Sequence, residues 1–391
     1  MKAKAIILII SLIFLAFSFG CIGQETETNE TKLEVEEGVG VVGTLKIDEL
    51  HPGLDGYISL TVRSNLGGEG ARNVYISLDN VKPFKLVECG NEISEPSRNR
   101  SLDNCNGFLD LDKNLPYRTR GTVKLFPGEE LDVFWRLKAP SVNEISDIAL
   151  KHPIYYDVEY DYHVNFHQSI VFMSQNEMLR RRQAGEEYLI QGESASTAGE
   201  IRFKSITQQP ILFAFDYQPG SDNPEKDFSF VLSYLVENKG HGFPISDVIV
   251  ILEYPQDIKP QEDVLNAYGW KEWNKWNGKI NVTEYQPGVG AVTKEVNCRT
   301  GIGEENCKDW INEIFKDEKI NQDRLLVKVI KREDFVESFT INAPMVLKGE
   351  VKKELRDRNI PLKIYPFKVY VGYRYFIEGK EYITVYPLRG I

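Results

Sequence analysis

The sequence predicts an all-β fold in which one β-sandwich occurs twice in tandem. Three observations predict it. The chain has 391 residues, which at roughly 150 residues per domain makes two or three domains the expectation. Its apolar segments are short, alternate with period two, are rich in Val, Ile, Tyr and Phe, and end at Gly, Pro and Asn, as sandwich strands do. A set of sequence landmarks then recurs in the same order. Composition is ordinary for a globular chain, 42% hydrophobic and 27% charged, so a sizeable core can form. Only one stretch approaches the roughly 20 apolar residues of a bilayer span, which excludes a multispan protein. Acidic residues outnumber basic ones 58 to 47, for a net charge of −11, and that field repels phosphate backbones, which excludes nucleic acid as the expected partner.

The N-terminal element, residues 1–22, is a signal peptide or membrane anchor. Lys2 and Lys4 precede an uncharged apolar run from Ala5 to Phe19, followed by Gly20 and Cys21, the order of a secretory signal. A cysteine after the apolar run resembles the lipobox of lipoprotein signals, in which cleavage before Cys21 frees it to carry lipid. Ser18 and Phe19 depart from that pattern. Ala5 to Ile22 is also about long enough to remain as an uncleaved span, and simple secretion is the third outcome. All three export the remainder. Residues 23–38, which include Gln-Glu-Thr-Glu-Thr-Asn-Glu, are polar and lack aromatics, and predict a flexible tether.

The cysteines agree with an oxidising exterior. Besides Cys21 there are Cys89, Cys105, Cys298 and Cys307, an even number. Of three connectivities, Cys89 with Cys105 and Cys298 with Cys307 close short loops, each worth about 3 kcal/mol in the chain-entropy model. Asn29, Asn99 and Asn281 head Asn-x-Ser/Thr tripeptides that can accept glycans in an exported chain.

The repeat sets two domains, β-sandwich 1 at 39–173 and β-sandwich 2 at 199–391. Gly43 to Leu50 aligns with Gly199 to Ile206 without a gap. Asn65-Leu66-Gly67 matches Asn238-Lys239-Gly240, and the apolar runs Val74 to Leu78 and Val248 to Leu252 follow. Leu137 to Pro140 pairs with Ile341 to Pro344. Tyr160-Asp161-Tyr162 stands before Ile170 to Phe172 as Tyr373-Arg374-Tyr375 stands before Ile383 to Val385. About seven strands per copy resemble an immunoglobulin-like sandwich. The pattern Asn65, Gly67, Ala71, Asn73 to Leu78, then Pro127-Gly128-Glu129 before Leu131 to Leu137, resembles the CARDB-type and related sandwich modules of archaeal surface lipoproteins. That resemblance implies adhesion or spacer domains.

Between the copies, 174–198 predicts a helical connector. Ser174-Gln-Asn-Glu177 has the form of a capping box, and Met178 to Ile190 is the expected helix, carrying Arg180, Arg181 and Arg182. In the second copy a long, partly helical insertion at about 261–324 contains Trp270, Trp273 and Trp276. At helical spacing these rings share one side and could stack on sugars or rest at a membrane interface. The insertion has few other large side chains to hold it on the sandwich, so burial of the rings is the expectation.

No constellation points to catalysis. His163 and His167 lie four apart on a strand, about 13 Å, too far to share one zinc ion; Tyr162, Val164 and Phe166 form the core face beside them, and the histidines belong to the wet face. Asp110, Asp112 and Asn114 open like a calcium loop, but Leu115 and Gly121 stand where glycine and glutamate are needed. The sequence therefore predicts a membrane-tethered, exported, non-enzymatic protein facing the extracellular side. It would act as a binding or structural envelope module, need no cofactor or metal, and meet a protein or glycan partner. The alternative is a carbohydrate-binding or carbohydrate-processing accessory protein that uses the Trp-rich insertion.

Overall fold

The period-two alternation of the sequence becomes alternation of burial. In the computed structural model, Ile58, Leu60 and Val62 of one strand and Leu131, Val133, Trp135 and Leu137 of its partner are buried, while the residues between them face outward. The structure describes residues 41–47, 50–65, 70–93, 117–118, 123–145, 149–286, 290–297, 320–335 and 338–386, all within one compact unit spanning Glu37–Ile391.

The N-terminal part contributes β1 (Val41–Ile47), β2 (Asp55–Ser64), β3 (Ala71–Asp79), β4 (Lys85–Ile93), β5 (Tyr117–Arg118), β6 (Val123–Leu125), β7 (Glu130–Lys138) and β8 (Leu150–Ser174). Helix α1 (Gln175–Ala184) and β9 (Ser194–Ser196) follow. The C-terminal part contributes β10 (Ile201–Ser205), β11 (Ile211–Phe213), β12 (Phe228–Asn238), β13 (Phe243–Pro244), β14 (Val248–Glu253), β15 (Ile258–Pro260), α2 (Glu262–Leu265), β16 (Trp270–Glu272), β17 (Lys279–Gln286), β18 (Gly290–Asn297), β19 (Leu325–Ile330), β20 (Ser338–Leu347), α3 (Gly349–Asp357) and β21 (Leu362–Val385).

The fold is all-β, and its two parts share a strand order. One four-stranded sheet runs β1-β2-β7-β4 and the other β10-β12-β20-β15. Each packs on part of a large sheet whose main path, among the described residues, is β16-β19-β14-β21-β8-β3-β5. The middle of that path departs from the tandem arrangement with a helical joint. β8 and β21 pair antiparallel from Leu362↔Met173 to Val385↔Leu150, a ladder 24 residues long, or about 80 Å. The first half of β8 pairs with β3 of its own part. Its second half crosses to the other part, where β11 and β9 pair with it and Phe166 and Phe172 lie edge-on to Tyr234 and Phe230. β21 returns the exchange, ending with Ile383 and Val385 buried and with Val385 bridged to Leu50. Each part is thus completed by a strand from the other.

At their centre these strands are buried on both faces, at Val158–Val164 and Val369–Ile377. Tyr160, Tyr162, Tyr373 and Tyr375 point into the space between the sheets, while Glu159, Asp161, His163 and Arg374 are buried on the opposite face. His163 is therefore not on a wet face, although the core face of Tyr162, Val164 and Phe166 is as its alternation predicts.

Asp161 and Arg374, the equivalent middle residues of the two Tyr-x-Tyr landmarks, stand directly opposite each other. In an antiparallel pair of equivalent strands, the rung where a residue meets its own equivalent marks a local two-fold axis. The axis here carries an ion pair: Arg374 Nε donates to Asp161 Oδ1 at 2.8 Å and Nη2 to Oδ2 at 3.2 Å. On the other face, Tyr160 and Tyr373 both donate to the buried carboxylate of Glu200, Tyr375 donates to Asn238 Oδ1 at 2.8 Å and Tyr162 to the carbonyl of Ala198 at 2.5 Å. Burial, with the Glu200 charge second, holds the Tyr160 and Tyr373 hydroxyls well above the ordinary tyrosine range.

The connector helix is shorter than predicted. The Glu177 amide donates to Ser174 Oγ at 3.2 Å, so half of the capping box forms. The returning half does not, because the Ser174 N–H is already donated to the Pro361 carbonyl, 2.8 Å away, as β8 ends. The Glu177 carboxylate instead accepts from Arg180 and Arg181 at 2.7 to 2.8 Å, and the Arg180 hydrogen bonds draw its pKa down to about 2. Gly185, at φ 69°, closes the helix six residues before the expected end at Ile190.

Candidate functional site

A cleft lies on the outer face of the large sheet, where the second-part insertion folds back over β14 and β19. Ile249 and Ile251 of β14 and Leu325 and Val327 of β19 point away from the main core and would be bare. The insertion covers them with Trp273, Trp276, Ile280, Val282 and Val296, forming a second apolar cluster. Asp247 docks the β17–β18 hairpin onto the sheet. Its Oδ2 accepts from the Asn281 amide at 2.8 Å, its Oδ1 from the Arg332 amide at 3.1 Å, and its own N–H donates to the Asn281 carbonyl at 2.9 Å.

The three tryptophans are buried, with 0%, 5% and 3% of Trp270, Trp273 and Trp276 accessible. They do not form one helical stripe. Trp270 belongs to β16 and enters the main core, its indole Nε1 donating to the Asn342 carbonyl at 2.8 Å. Trp273 begins a 3-10 turn, and with Trp276 it joins the outer cluster, ring centroids 5.4 Å apart. A short 3-10 turn and extended flanks replace the helix because Trp270 must pair with Lys328 of β19. The rings are thus packed into the two cores, Trp270 in one and Trp273 with Trp276 in the other.

What remains open beside them is a cleft of about 300 Å³, at the small end of the range for ligand sites. Its apolar floor is the edge of Trp276 with Ile280, Val327 and Val329. Lys271, Lys279, Lys331, Asn277, Asn281 and Glu295 supply the polar rim, with Asp247 at the back and Gly269 at the mouth. Gly269 closes the preceding turn in the left-handed region, at φ 75°, where a side chain would be strained. Lys279 pairs with Glu295 at 2.5 Å and Lys331 approaches Glu333 only at 4.0 Å. Both oxygens of Asp247 are taken by backbone amides. With three lysines against Glu295 and Asp247, the lining carries one positive charge in excess within an acidic chain. Lysines from β16, β17 and the end of β19 converge over a span of sixty residues, so no local motif marked them; the Lys271 beside Trp270 was the one visible sign.

Among the other sequence candidates, Asn281 is exposed on β17 at this cleft. Cys89 lies on β4 opposite Trp135. Cys21, Cys105, Cys298, Cys307, Asn29 and Asn99 lie outside the described residues, as do residues 1–40 and the Asp110 to Asn114 segment. Among the described residues no helix is long and apolar enough to cross a membrane, and no group of three or more His, Cys, Asp or Glu side chains is placed to hold a metal ion.

No family model matches the chain, and no curated protein does. Solved structures show only faint likeness. The CupB6 tip adhesin from Pseudomonas aeruginosa is 9% identical over 90% of this chain and 99% of its own, with a TM-score of 0.17. A protein from Corynebacterium diphtheriae described as membrane anchored is 11% identical over 78% and 83%, with a TM-score of 0.14. Salmonella alpha-2-macroglobulin, as a Y1175G mutant, is 11% identical over 76% of this chain and 17% of its own, with a TM-score of 0.13. Scores this low carry no argument about architecture.

Proposed function

We propose that the chain is an exported, membrane-tethered, non-enzymatic envelope protein, in which two immunoglobulin-like sandwiches of the CARDB type serve as one stiff structural and binding module. The observation that carries this reading is the exchange of β8 and β21. A 24-residue ladder, buried on both faces through its middle at Val158–Val164 and Val369–Ile377, ties the two halves together along one continuous sheet, which suits a part that holds a binding face away from a membrane. Its N-terminal signal, with Cys21 as the lipid acceptor or Ala5 to Ile22 as a retained span, would supply the attachment. The tether at 23–38 would give about 20 Å of flexible reach.

Fractionation of the native cells tests the reading. The chain is expected in the membrane fraction and accessible to protease added outside intact cells, and Cys21→Ser should release it or block its processing. Recovery of the wild-type chain in the cytosol would overturn the proposal. A second reading, an accessory protein for carbohydrate, draws on one observation, the cationic cleft beneath the insertion.

A further inference from the structure

We infer that this cleft binds a carboxylated sugar, such as a hexuronate unit of an envelope or extracellular glycan; the inference rests on the reading of the chain as an exterior binding module and deepens it. The charge comes first. Lys271, Lys279 and Lys331 line the opening together with Glu295 and Asp247, and both Asp247 oxygens are held by the Asn281 and Arg332 amides. Lys279 is neutralised by Glu295. Lys271 is exposed and makes no ion pair among the described residues, and Lys331 is only loosely paired. Three lysines against two carboxylates leave the lining one positive charge in excess, with Lys271 and Lys331 the ammonium groups placed to meet an anion, in a chain whose net charge of −11 otherwise disfavours one.

The shape and floor then select among anions. A cleft of about 300 Å³ is much larger than a bare inorganic anion needs, and lysine presents a point charge without the planar fork that seats phosphate in a bidentate way. The floor of Ile280, Val327 and Val329 with the Trp276 edge suits the C–H side of a pyranose ring. Asn277, Asn281 and Glu295 on the rim offer donors and acceptors to ring hydroxyls. A carboxylate on a hydroxylated ring satisfies all three features together.

Titration calorimetry of the full chain in detergent tests this with glucuronate, galacturonate and N-acetylneuraminate as probes and with glucose and acetate as controls. At least one carboxylated sugar should bind saturably, at least tenfold more tightly than glucose or acetate, and more weakly as salt rises, because exposed charges are screened. Lys271→Glu with Lys331→Glu should lower that affinity at least tenfold. These side chains are exposed, so the unfolding midpoint should stay unchanged, and the melt verifies that the variant is folded. The inference is overturned if none of the three sugars binds saturably, if acetate binds as well as they do, or if the folded double variant binds like the wild type. Such a failure leaves the envelope reading standing, since fractionation tests that separately.

Discussion

The ion pair at the local two-fold axis should be worth more to the molecule than any surface pair, and its double-mutant cycle shows why. The side chains of Arg374 and Asp161 are 6% and 5% accessible and meet through two hydrogen bonds, at 2.8 and 3.2 Å. At about 3 Å and an effective dielectric constant near 20, their attraction is about 5 kcal/mol. Desolvation of both ions offsets much of it. Removing one partner keeps the desolvation cost and loses the attraction, so Arg374→Met or Asp161→Leu alone should cost about 3 to 5 kcal/mol. The double variant, with both places apolar, should recover most of that loss. Urea unfolding followed by far-ultraviolet circular dichroism measures all four corners of the cycle. Because the pair sits midway along the ladder that joins the parts, each variant should still unfold in one transition, at a lower urea concentration. Single variants that cost less than about 1 kcal/mol, or a double variant that costs the sum of the singles, would refute the argument.

Three further outcomes are expected. Asp157, half-buried between Ser77 and Glu378 on neighbouring strands and hydrogen-bonded to Asp79, has its carboxyl pushed up to about 8, by burial first and then by Asp79, Glu378 and Glu159. A carboxyl raised in the fold contributes stability that is present below its unfolded value, near 3.8, and is lost as pH rises toward 8. The urea midpoint should therefore fall between pH 5 and pH 8.5, and Asp157→Asn should flatten that slope. Trp273→Ala and Trp276→Ala should each cost about 3 to 5 kcal/mol; a loss within about 0.5 kcal/mol, as for exposed sites, would mean that the rings are not core. Residues 39–173 expressed alone should fail to give a cooperative, monomeric fold, because the second half of β8 would lose every neighbour; a stable monomer from gel filtration would contradict the exchange of strands.

The sequence made the strands and their faces legible, and the reason is local. Tyr57 to Arg63, Leu131 to Leu137 and Val248 to Leu252 carry their alternation or apolar run within a few residues, and each lies in a strand. The strand exchange was not legible. Asp157 to Phe166 and Ile170 to Phe172 read as separate strands, and nothing local states that both continue into one ladder with residues about two hundred positions away. Buried charge on one face of β8, Glu159 and Asp161, masked a strand that is covered on both sides. The tryptophans misled in geometry and not in burial, since spacing of three suggests a helix only where no neighbouring strand claims the first residue. The cleft was hidden for a related reason: its lysines come from β16, β17 and the residue after β19, and converge only after folding.

The polar residues at the axis say something about how the fused chain differs from two identical subunits. In a symmetric dimer each residue on the axis faces a copy of itself, so the Asp161 position would oppose aspartate to aspartate, or arginine to arginine, in a buried site where like charges repel. Within one chain the two positions are free to differ, and they hold Asp161 and Arg374. The tyrosine cluster on the other face is asymmetric in the same way: Glu200 accepts from a tyrosine of each part, Tyr160 and Tyr373, while the aligned position in the first copy is Thr44.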